Sequence, residues 1–197
     1  MAEVKFAAER RMGPPGSDNW LAMLDGAEAI LREEGHAALT SRRVAEQVGV
    51  KQRLVYYYFR TMDDLIVETF RRLSQRELAR LETARASDLP LREIWDMCIH
   101  TADARLVAEF MALAARIEGL GKEVIHFIET SRRIQTEAIK KAMAAHPAGL
   151  SIAPDTLVLM ATSLALTLTR EAELGVEMGH GGALAVVARM LDALEPS

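Results

Sequence analysis

Basic side chains cluster between positions 40 and 60, and this cluster is the part of the sequence best suited to holding phosphate groups. One residue of this window is acidic, Glu46, and five are Arg or Lys, which gives a local net charge of +4. The five are Arg42, Arg43, Lys51, Arg53 and Arg60. The whole chain has a formal net charge of −4, but affinity for a polyanion follows the charges that face it. The window therefore predicts contact with nucleic-acid phosphates.

The centre of this window carries side chains that can distinguish bases. Residues 51–54 read Lys-Gln-Arg-Leu. Gln can pair with adenine, Arg with guanine, and Leu can contact the thymine methyl group. Three tyrosines follow at positions 56–58. Their hydroxyl groups can donate hydrogen bonds to phosphates, while at least one ring is expected to pack in the core.

Two short helices are predicted to present these side chains. Ser41 is the expected N-cap of the first helix, which Gly49 ends in a tight turn, and the second follows Val50 and runs through Tyr58. Valines at positions 44, 48, 50 and 55 can lock the two helices together. This pattern is typical of a helix-turn-helix whose second helix enters the major groove. The alternative is three packed helices with an ordinary solvated basic face.

Longer helices are expected on both sides of this pair. Ser17 or Asp18 can cap a helix whose apolar residues recur at spacings of three and four from position 20 to 31, with a stop at Gly35. The acidic pair at positions 63 and 64 favours the start of a long helix that continues past Glu82. Residues 1–16 end in Gly-Pro-Pro-Gly and are expected to be a flexible arm, which either enters a minor groove or is an inert tail.

The rest of the chain has helical periodicity throughout, and strands are nowhere indicated. Breaks are expected at residues 87–90, 119–121, 146–154 and 179–182. The predicted fold class is all-α, with an N-terminal three-helix head that contains the helix-turn-helix and a C-terminal helical bundle. The expected domains are the arm at 1–16, the head at 17–77 and the bundle at 78–197.

The head resembles the DNA-binding domain of the TetR family of transcriptional repressors over about residues 17–75. The resemblance is carried by the run from Gly35 through Thr40-Ser41-Arg42-Arg43-Val44-Ala45 to Gly49-Val50, then by Val55-Tyr56-Tyr57-Tyr58-Phe59 and Asp63-x-Leu65. It implies a three-helix reading head, a fourth helix that links the head to a ligand-binding core, and dimerisation through the last two long helices. It also implies a repressor of transcription that a small molecule releases from its double-stranded DNA operator.

The resemblance assigns roles to individual residues. Thr40 and Tyr56 are similar to phosphate contacts of the family, and Arg42 and Gln52 are similar to base or near-base contacts. Tyr58 stands where the family often has a phosphate-binding His. The expected DNA-contacting residues are Thr40, Ser41, Arg42, Arg43, Lys51, Gln52, Arg53, Tyr56, Tyr57 and Tyr58.

Two positions depart from the family pattern. Arg53 stands where Gly or Pro is common, and Met62 replaces a Lys that usually touches phosphate. We expect the change at Met62 to remove one charge contact and Arg53 to restore one.

Polar and aromatic side chains within the apolar C-terminal helices predict where a small-molecule effector binds. The expected lining residues are Trp95, Cys98, Phe110, Met111, His126 and Phe127. Each has a structural alternative, since Trp95 and Phe110 can simply pack and His126 can be an ordinary core or surface histidine. The ten Met residues of the chain favour adaptable packing around a mainly hydrophobic ligand.

The segment at residues 155–177 is apolar on almost every side, so its helix must be buried on two sides. We expect one side to face the bundle and the other, together with residues 183–194, to form a four-helix interface with a second copy of the chain. The alternative is a monomer with a central core helix.

Other classes of protein find little support in the sequence. Cys98 is the single cysteine and no secretory leader opens the chain, so the cytoplasm is the expected location. The longest uncharged apolar stretch, residues 156–169, is too short to cross a membrane. Metal-ligand spacing, catalytic triads and phosphate-binding loops are not recognisable, so we expect no metal, no cofactor and no enzyme. The remaining alternative is a helical protein-interaction module, which would not require Gln52 and Arg53.

Overall fold

The computed structural model describes residues 14–100, 104–146 and 152–196, and these form nine α-helices without a strand. The helices are α1 (Asp18–Glu34), α2 (Ser41–Val48), α3 (Gln52–Tyr58), α4 (Met62–Arg85), α5 (Pro90–Ile99), α6 (Ala104–Ala114), α7 (Glu118–Ala145), α8 (Pro154–Glu173) and α9 (His180–Leu194). The all-α prediction is therefore confirmed. Most of the predicted arm, at residues 1–13, lies outside the described residues.

Side-chain caps define the helix ends of the head. The Ser17 side chain accepts a hydrogen bond from the Trp20 amide at the start of α1. The prediction that Ser41 caps α2 is wrong, because the Thr40 hydroxyl accepts the bond from the Arg43 amide at 3.1 Å. Ser41 is therefore the first helical residue, and its side chain turns inward, 5 % exposed.

The turn between α2 and α3 depends on a glycine. Gly49 has φ +74°, in the left-handed region that side chains disfavour, and its amide donates back to the carbonyl groups of Ala45 and Glu46. The predicted end of the first short helix at Gly49 is thus confirmed. A second glycine, Gly26 in α1, allows close packing, since a Cβ there would lie 3.0 Å from a methyl carbon of Val48.

The long helix α4 connects the head to the rest of the molecule. Thr61 and Asp64 form a capping box at its start, each side chain bonding the backbone amide of the other residue. The helix has 24 residues and is therefore about 36 Å long. It packs against α1 at one end and against α5 and α7 further along, which confirms the prediction that it continues past Glu82.

Two hydrophobic cores hold the helices together. The first joins the head to α6 and the start of α7, with Phe110 and Leu120 among its fully buried side chains. The second joins the end of α4 to α5, the end of α7 and the end of α9, around Leu81, Ile94 and Leu194. Because the first core extends from the head into α6 and α7, the division expected between residues 77 and 78 stays a prediction.

The helix breaks follow the prediction in part. Gly119 and Gly121 lie inside the first turn of α7, and the break falls instead at residues 115–117. Likewise α9 begins at His180 and contains two of the glycines expected in the break. Glycine is tolerated in a first turn because its helical hydrogen bonds are not yet complete. Pro154 occupies the first position of α8, as predicted.

None of the helices in the described part of the chain combines the length and the hydropathy that a membrane span requires. The longest, α7, has 28 residues but carries charged residues along its length.

Candidate nucleic-acid interface

The helix-turn-helix exposes a group of polar and basic side chains around α3, which we call the reading surface. Its members are Thr40, Arg42, Lys51, Gln52, Arg53, Tyr56, Tyr57 and Arg60. Tyr56 and Tyr57 are 43 % and 44 % exposed, so their rings stand out from the head. Exposed phenol, amide and cationic groups around one short helix are what a phosphate backbone and base edges can contact.

Hydrogen bonds fix α3 against the start of α2. The Gln52 side-chain amide donates to the Ser41 hydroxyl at 2.8 Å, and that hydroxyl donates to the Tyr56 hydroxyl at 3.0 Å. Gln52 and Tyr56 lie one turn apart on α3, so both ends of this chain of bonds belong to the same helix face. The orientation of the reading surface is therefore set before any DNA is bound.

The charges of the head are only partly compensated within the protein. Arg43 bonds Glu34 at 2.7 Å, which raises the pKa of the guanidinium, and Arg42 lies 3.4 Å from Glu46. By contrast, three exposed cations have no ion-pair partner among the described residues. These three are Lys51, Arg53 and Arg60. They flank or belong to α3, so the uncompensated positive charge is centred on the reading surface.

Two residues of the predicted contact set are buried. Ser41 is engaged in the bonds between α2 and α3, and Tyr58 is 7 % exposed, with its ring edge-on to Tyr57 at 5.2 Å. Burial of one tyrosine agrees with the expectation that at least one ring packs in the core. We therefore leave Ser41 and Tyr58 out of the reading surface, together with Arg43, which is paired with Glu34. DNA contact by the predicted residues stays a prediction.

A buried carboxylate holds the head on α4. Glu28 of α1 is 7 % exposed and accepts bonds from Arg76 of α4 at 2.7 Å and from Arg32 at 2.8 Å. Burial alone would raise the pKa of Glu28, but the hydrogen bonds from the two arginines outweigh burial and lower it. A second ion pair between the same helices joins Arg72 to Asp25. Local sequence patterns do not indicate these links, because they connect helices far apart in the chain.

One polar contact joins the head to α6. Glu109 accepts from the His36 amide at 3.3 Å and lies 3.1 Å from Nδ1 of the same residue. His36 directly follows the glycine that ends α1. The contact therefore couples the end of α1 to a helix outside the head.

A second candidate site is an apolar cavity of about 410 Å³ bounded by α5, α7, α8 and α9. Its volume falls at the lower end of the range for small-molecule pockets. Of the predicted effector-binding residues, Trp95 and Cys98 line it. Burial raises the pKa of the Cys98 thiol to about 11, so the thiol stays neutral at physiological pH.

The other predicted effector-binding residues lie outside this cavity. Phe110 is fully buried, and its ring packs edge-on to Phe70 at 5.1 Å, while Phe127 packs on Phe70 at 6.0 Å. Met111 packs against the same first core, and His126 is exposed on α7. The cavity instead uses Gln135, a polar residue that interrupts the buried face of α7 and could have been noticed on that ground.

The outer sides of α8 and α9 form a third feature, the C-terminal apolar face, which shares Met160 and Val186 with the cavity lining. Among the described residues, eight of the thirteen exposed large hydrophobic side chains belong to α8, α9 or the segment between them. They are Leu159, Met160, Leu166, Leu174, Val176, Met178, Leu184 and Val186. Such a concentration of exposed apolar side chains marks an interaction surface.

The described residues include no cluster of three or more His, Cys, Asp or Glu side chains that could hold a metal ion.

Comparisons with known proteins agree with this geometry. The family model for bacterial regulatory proteins of the tetR family matches residues 23–69, and no curated protein is significantly similar in sequence. Among solved structures, the chain is similar to the reduced form of NemR from E. coli, with 16 % identity, TM-score 0.74 and coverage of 88 % of this chain and 97 % of that one.

Two further structures have the same fold. A TetR transcription regulator from Haloarcula marismortui is 17 % identical, with TM-score 0.72 and coverage of 88 % and 96 %. A transcriptional regulator from Rhodococcus is 19 % identical, with TM-score 0.67 and coverage of 91 % and 92 %. The resemblance seen in the sequence is thus confirmed: the chain is a DNA-binding regulator whose helix-turn-helix domain, matched over residues 23–69, is that of the TetR family.

Proposed function

We propose that this chain is a homodimeric cytoplasmic repressor that binds a DNA operator and leaves it when a small apolar molecule occupies the cavity. The observation that carries the first part is the uncompensated positive charge of Lys51, Arg53 and Arg60 around a pre-oriented reading helix. Cations without partners within the protein are available to replace the counterions of DNA phosphates.

The C-terminal apolar face supports dimerisation. α8 contacts α5 and α7 on its inner side, while Leu159 and Leu166 on its outer side are 45 % and 50 % exposed. A second copy of the chain would cover these side chains through a two-fold interface made of four helices. Two reading heads would then meet successive major grooves, roughly 34 to 36 Å apart if the half-sites are one turn apart.

The path from cavity to head runs through α5 and α4. Leu91 and Ile94 of α5 line the cavity and also pack in the second core. The same core contains Leu81 and Ala84 from the last turns of α4. A ligand that displaces α5 therefore acts on the end of α4, whose other end is tied to α1 by Arg76 and Glu28. We expect α4 to take one position with the ligand bound and another without it, so that the two heads lie at different separations. Ligand binding then lowers the affinity for DNA, and DNA binding lowers the affinity for the ligand by the same factor.

The test is fluorescence anisotropy with the intergenic DNA upstream of the protein's own coding region, at two salt concentrations. We expect saturable binding, and Arg53→Ala should weaken it by about 1 to 3 kcal/mol. Arg132→Ala, which removes an exposed Arg from α7, is the matched control and should change nothing. Arg53 is preferable to Gln52, because substituting Gln52 also breaks the bond to Ser41.

Two results would count against the proposal. If Arg53→Ala and Arg132→Ala changed the DNA affinity equally, the reading surface would not be the site of DNA contact. Failure to bind both the intergenic DNA and any member of a random-sequence DNA pool would favour a helical protein-interaction module.

A further inference from the structure

The wall of the cavity carries no charge among the residues that the structure describes. Its sixteen lining residues include no Asp, Glu, Lys, Arg or His, and most are Leu, Ile, Val, Met or Ala. Three of them bear a polar group other than a thioether, namely Trp95, Cys98 and Gln135. A charged group placed among such side chains would lose its hydration without gaining a counterion.

Gln135 is the exception in this apolar wall. Its side chain is 9 % exposed, yet it forms no hydrogen bond with any described residue. One turn earlier on the same face of α7, the buried Ser131 hydroxyl has no hydrogen-bond partner among the described residues. Buried polar groups are normally satisfied, and leaving one unpaired costs free energy. An amide in a cavity wall without a protein partner is therefore free to bond a ligand.

We propose that the cavity selects uncharged, largely apolar molecules that carry one hydrogen-bonding group, and that this group pairs with the side-chain amide of Gln135. The inference rests on the proposed function, in that it gives the chemistry of the effector. An amide offers both an N–H donor and a carbonyl acceptor, so a ligand carbonyl, hydroxyl or N–H group can pair with it. Carboxylates, sulfonates and ammonium ions are rejected.

Cys98 does not alter this selection. Its thiol remains protonated at neutral pH because of burial, so the cavity presents neither an anion to a cationic ligand nor a thiolate to an electrophile. The proposed recognition therefore relies on apolar contact and hydrogen bonding.

The experiment uses two dyes that differ by one group, N-phenyl-1-naphthylamine and its sulfonated analogue 1-anilinonaphthalene-8-sulfonate, titrated into the full-length protein without DNA. Both become more fluorescent in apolar surroundings. We expect the neutral dye to bind with one site per subunit and the sulfonate to bind at least about a hundredfold more weakly. Because DNA is absent, the result is independent of operator binding, and either proposal can fail while the other stands.

The role of Gln135 is isolated with a competitor. In 1-benzylnaphthalene a methylene replaces the N–H of the neutral dye, so it fills the same space without a hydrogen bond. In the wild type it should bind roughly three- to tenfold more weakly than the dye. This ratio should fall to about one in Gln135→Leu. It should persist in Ile139→Leu, a control that changes an apolar lining residue one turn away on the same helix.

A cavity-filling variant verifies where the dye binds. Cys98→Phe adds bulk from α5, away from the C-terminal apolar face, and should abolish binding of both neutral compounds while circular dichroism confirms helical content. Dye binding that survives Cys98→Phe, equal affinity for the sulfonate, or a ratio unchanged in Gln135→Leu would overturn the proposal. Absence of neutral-dye binding to the wild type would also overturn it and would favour a partner helix as the occupant of the cavity.

Discussion

The head and the C-terminal apolar face differ in how far their apolar side chains are buried. In the head, the apolar residues of α1 that face the core are completely buried, with Met23, Leu24 and Leu31 each 0 % exposed, and the surface carries ion pairs and unpaired cations. On α8 and α9, by contrast, many large apolar side chains are exposed. Leu174 and Met178 of the segment between these helices are 77 % and 92 % exposed, and Leu194 is the only residue of α9 that is buried within the described chain.

This difference shows that the two regions are suited to different partners. The head has its own caps and cross-links and shares the first core with α6 and α7, so what it lacks is negative charge, which DNA supplies. The C-terminal apolar face lacks apolar contact, which a second copy of the chain would supply. Association of such a face is driven by the removal of apolar area from water, whereas binding by the reading surface is electrostatic and sensitive to salt.

The largest effect is expected from a charge placed in the C-terminal apolar face. In the proposed dimer, Leu166→Arg would bury an unpaired cation at the interface, which costs several kcal/mol and should raise the dimer dissociation constant at least about a hundredfold. Light scattering after size exclusion measures the mass. Ile125→Arg, at a 58 % exposed position of α7, is the matched control and should leave the mass unchanged. A wild-type chain that is monomeric at micromolar concentration would contradict dimerisation through the C-terminal apolar face.

The next effect concerns the burial of α1 in the first core. Leu24 is fully buried, and Leu24→Ala should lower the free energy of unfolding by about 2 to 5 kcal/mol because it leaves a cavity. Leu21→Ala on the same helix is the control, since Leu21 is 38 % exposed and should change the value by less than about 1 kcal/mol. Urea denaturation followed by circular dichroism gives both values. Similar losses for the two variants would mean that burial of α1 residues in the first core does not stabilise the head.

The smallest effect tests the Glu28 link between α1 and α4. Glu28→Gln leaves Arg76 and Arg32 without their shared carboxylate and should cost about 1 to 2 kcal/mol at pH 7. Because the pKa of Glu28 is lowered in the folded state, its stabilisation is present above the ordinary value of 4.5 and is lost as pH falls through the lowered pKa. The difference between wild type and variant should therefore shrink below about pH 4.5. Urea midpoints at a series of pH values measure it, and a constant difference would contradict the proposed charge effect.

Local patterns allowed much of the head to be predicted. Gly49, the acidic start of α4 and the apolar spacing of α1 each act within a few residues, so the sequence indicated them correctly. The N-cap of α2 was misplaced by one position because Thr40 and Ser41 are both good caps, and the inward turn of Ser41 depends on Gln52 and Tyr56 across the turn. The glycines of α7 were read as a break although a helix accepts them in its first turn.

The cavity was harder to predict than the head. Trp95 and Cys98 line it, whereas Phe110 and Phe127 pack in or against the first core, because an aromatic residue on an apolar face serves equally well in a core. Which of the two occurs depends on the helix opposite, here α4 with Phe70. Gln135 was overlooked because a polar residue in a long helix most often faces solvent.

The sequence by itself determined the all-helical fold, the helix-turn-helix and the basic charge around it, because periodicity, capping and local charge act over distances of a few residues along the chain. Only the tertiary structure decided which of the candidate side chains are buried, which pair with one another and which surround the cavity. Those outcomes depend on residues that lie far apart in sequence, such as Glu28 and Arg76, which form an ion pair, or Trp95 and Gln135, which line the same cavity. Their meeting is set by how whole helices pack.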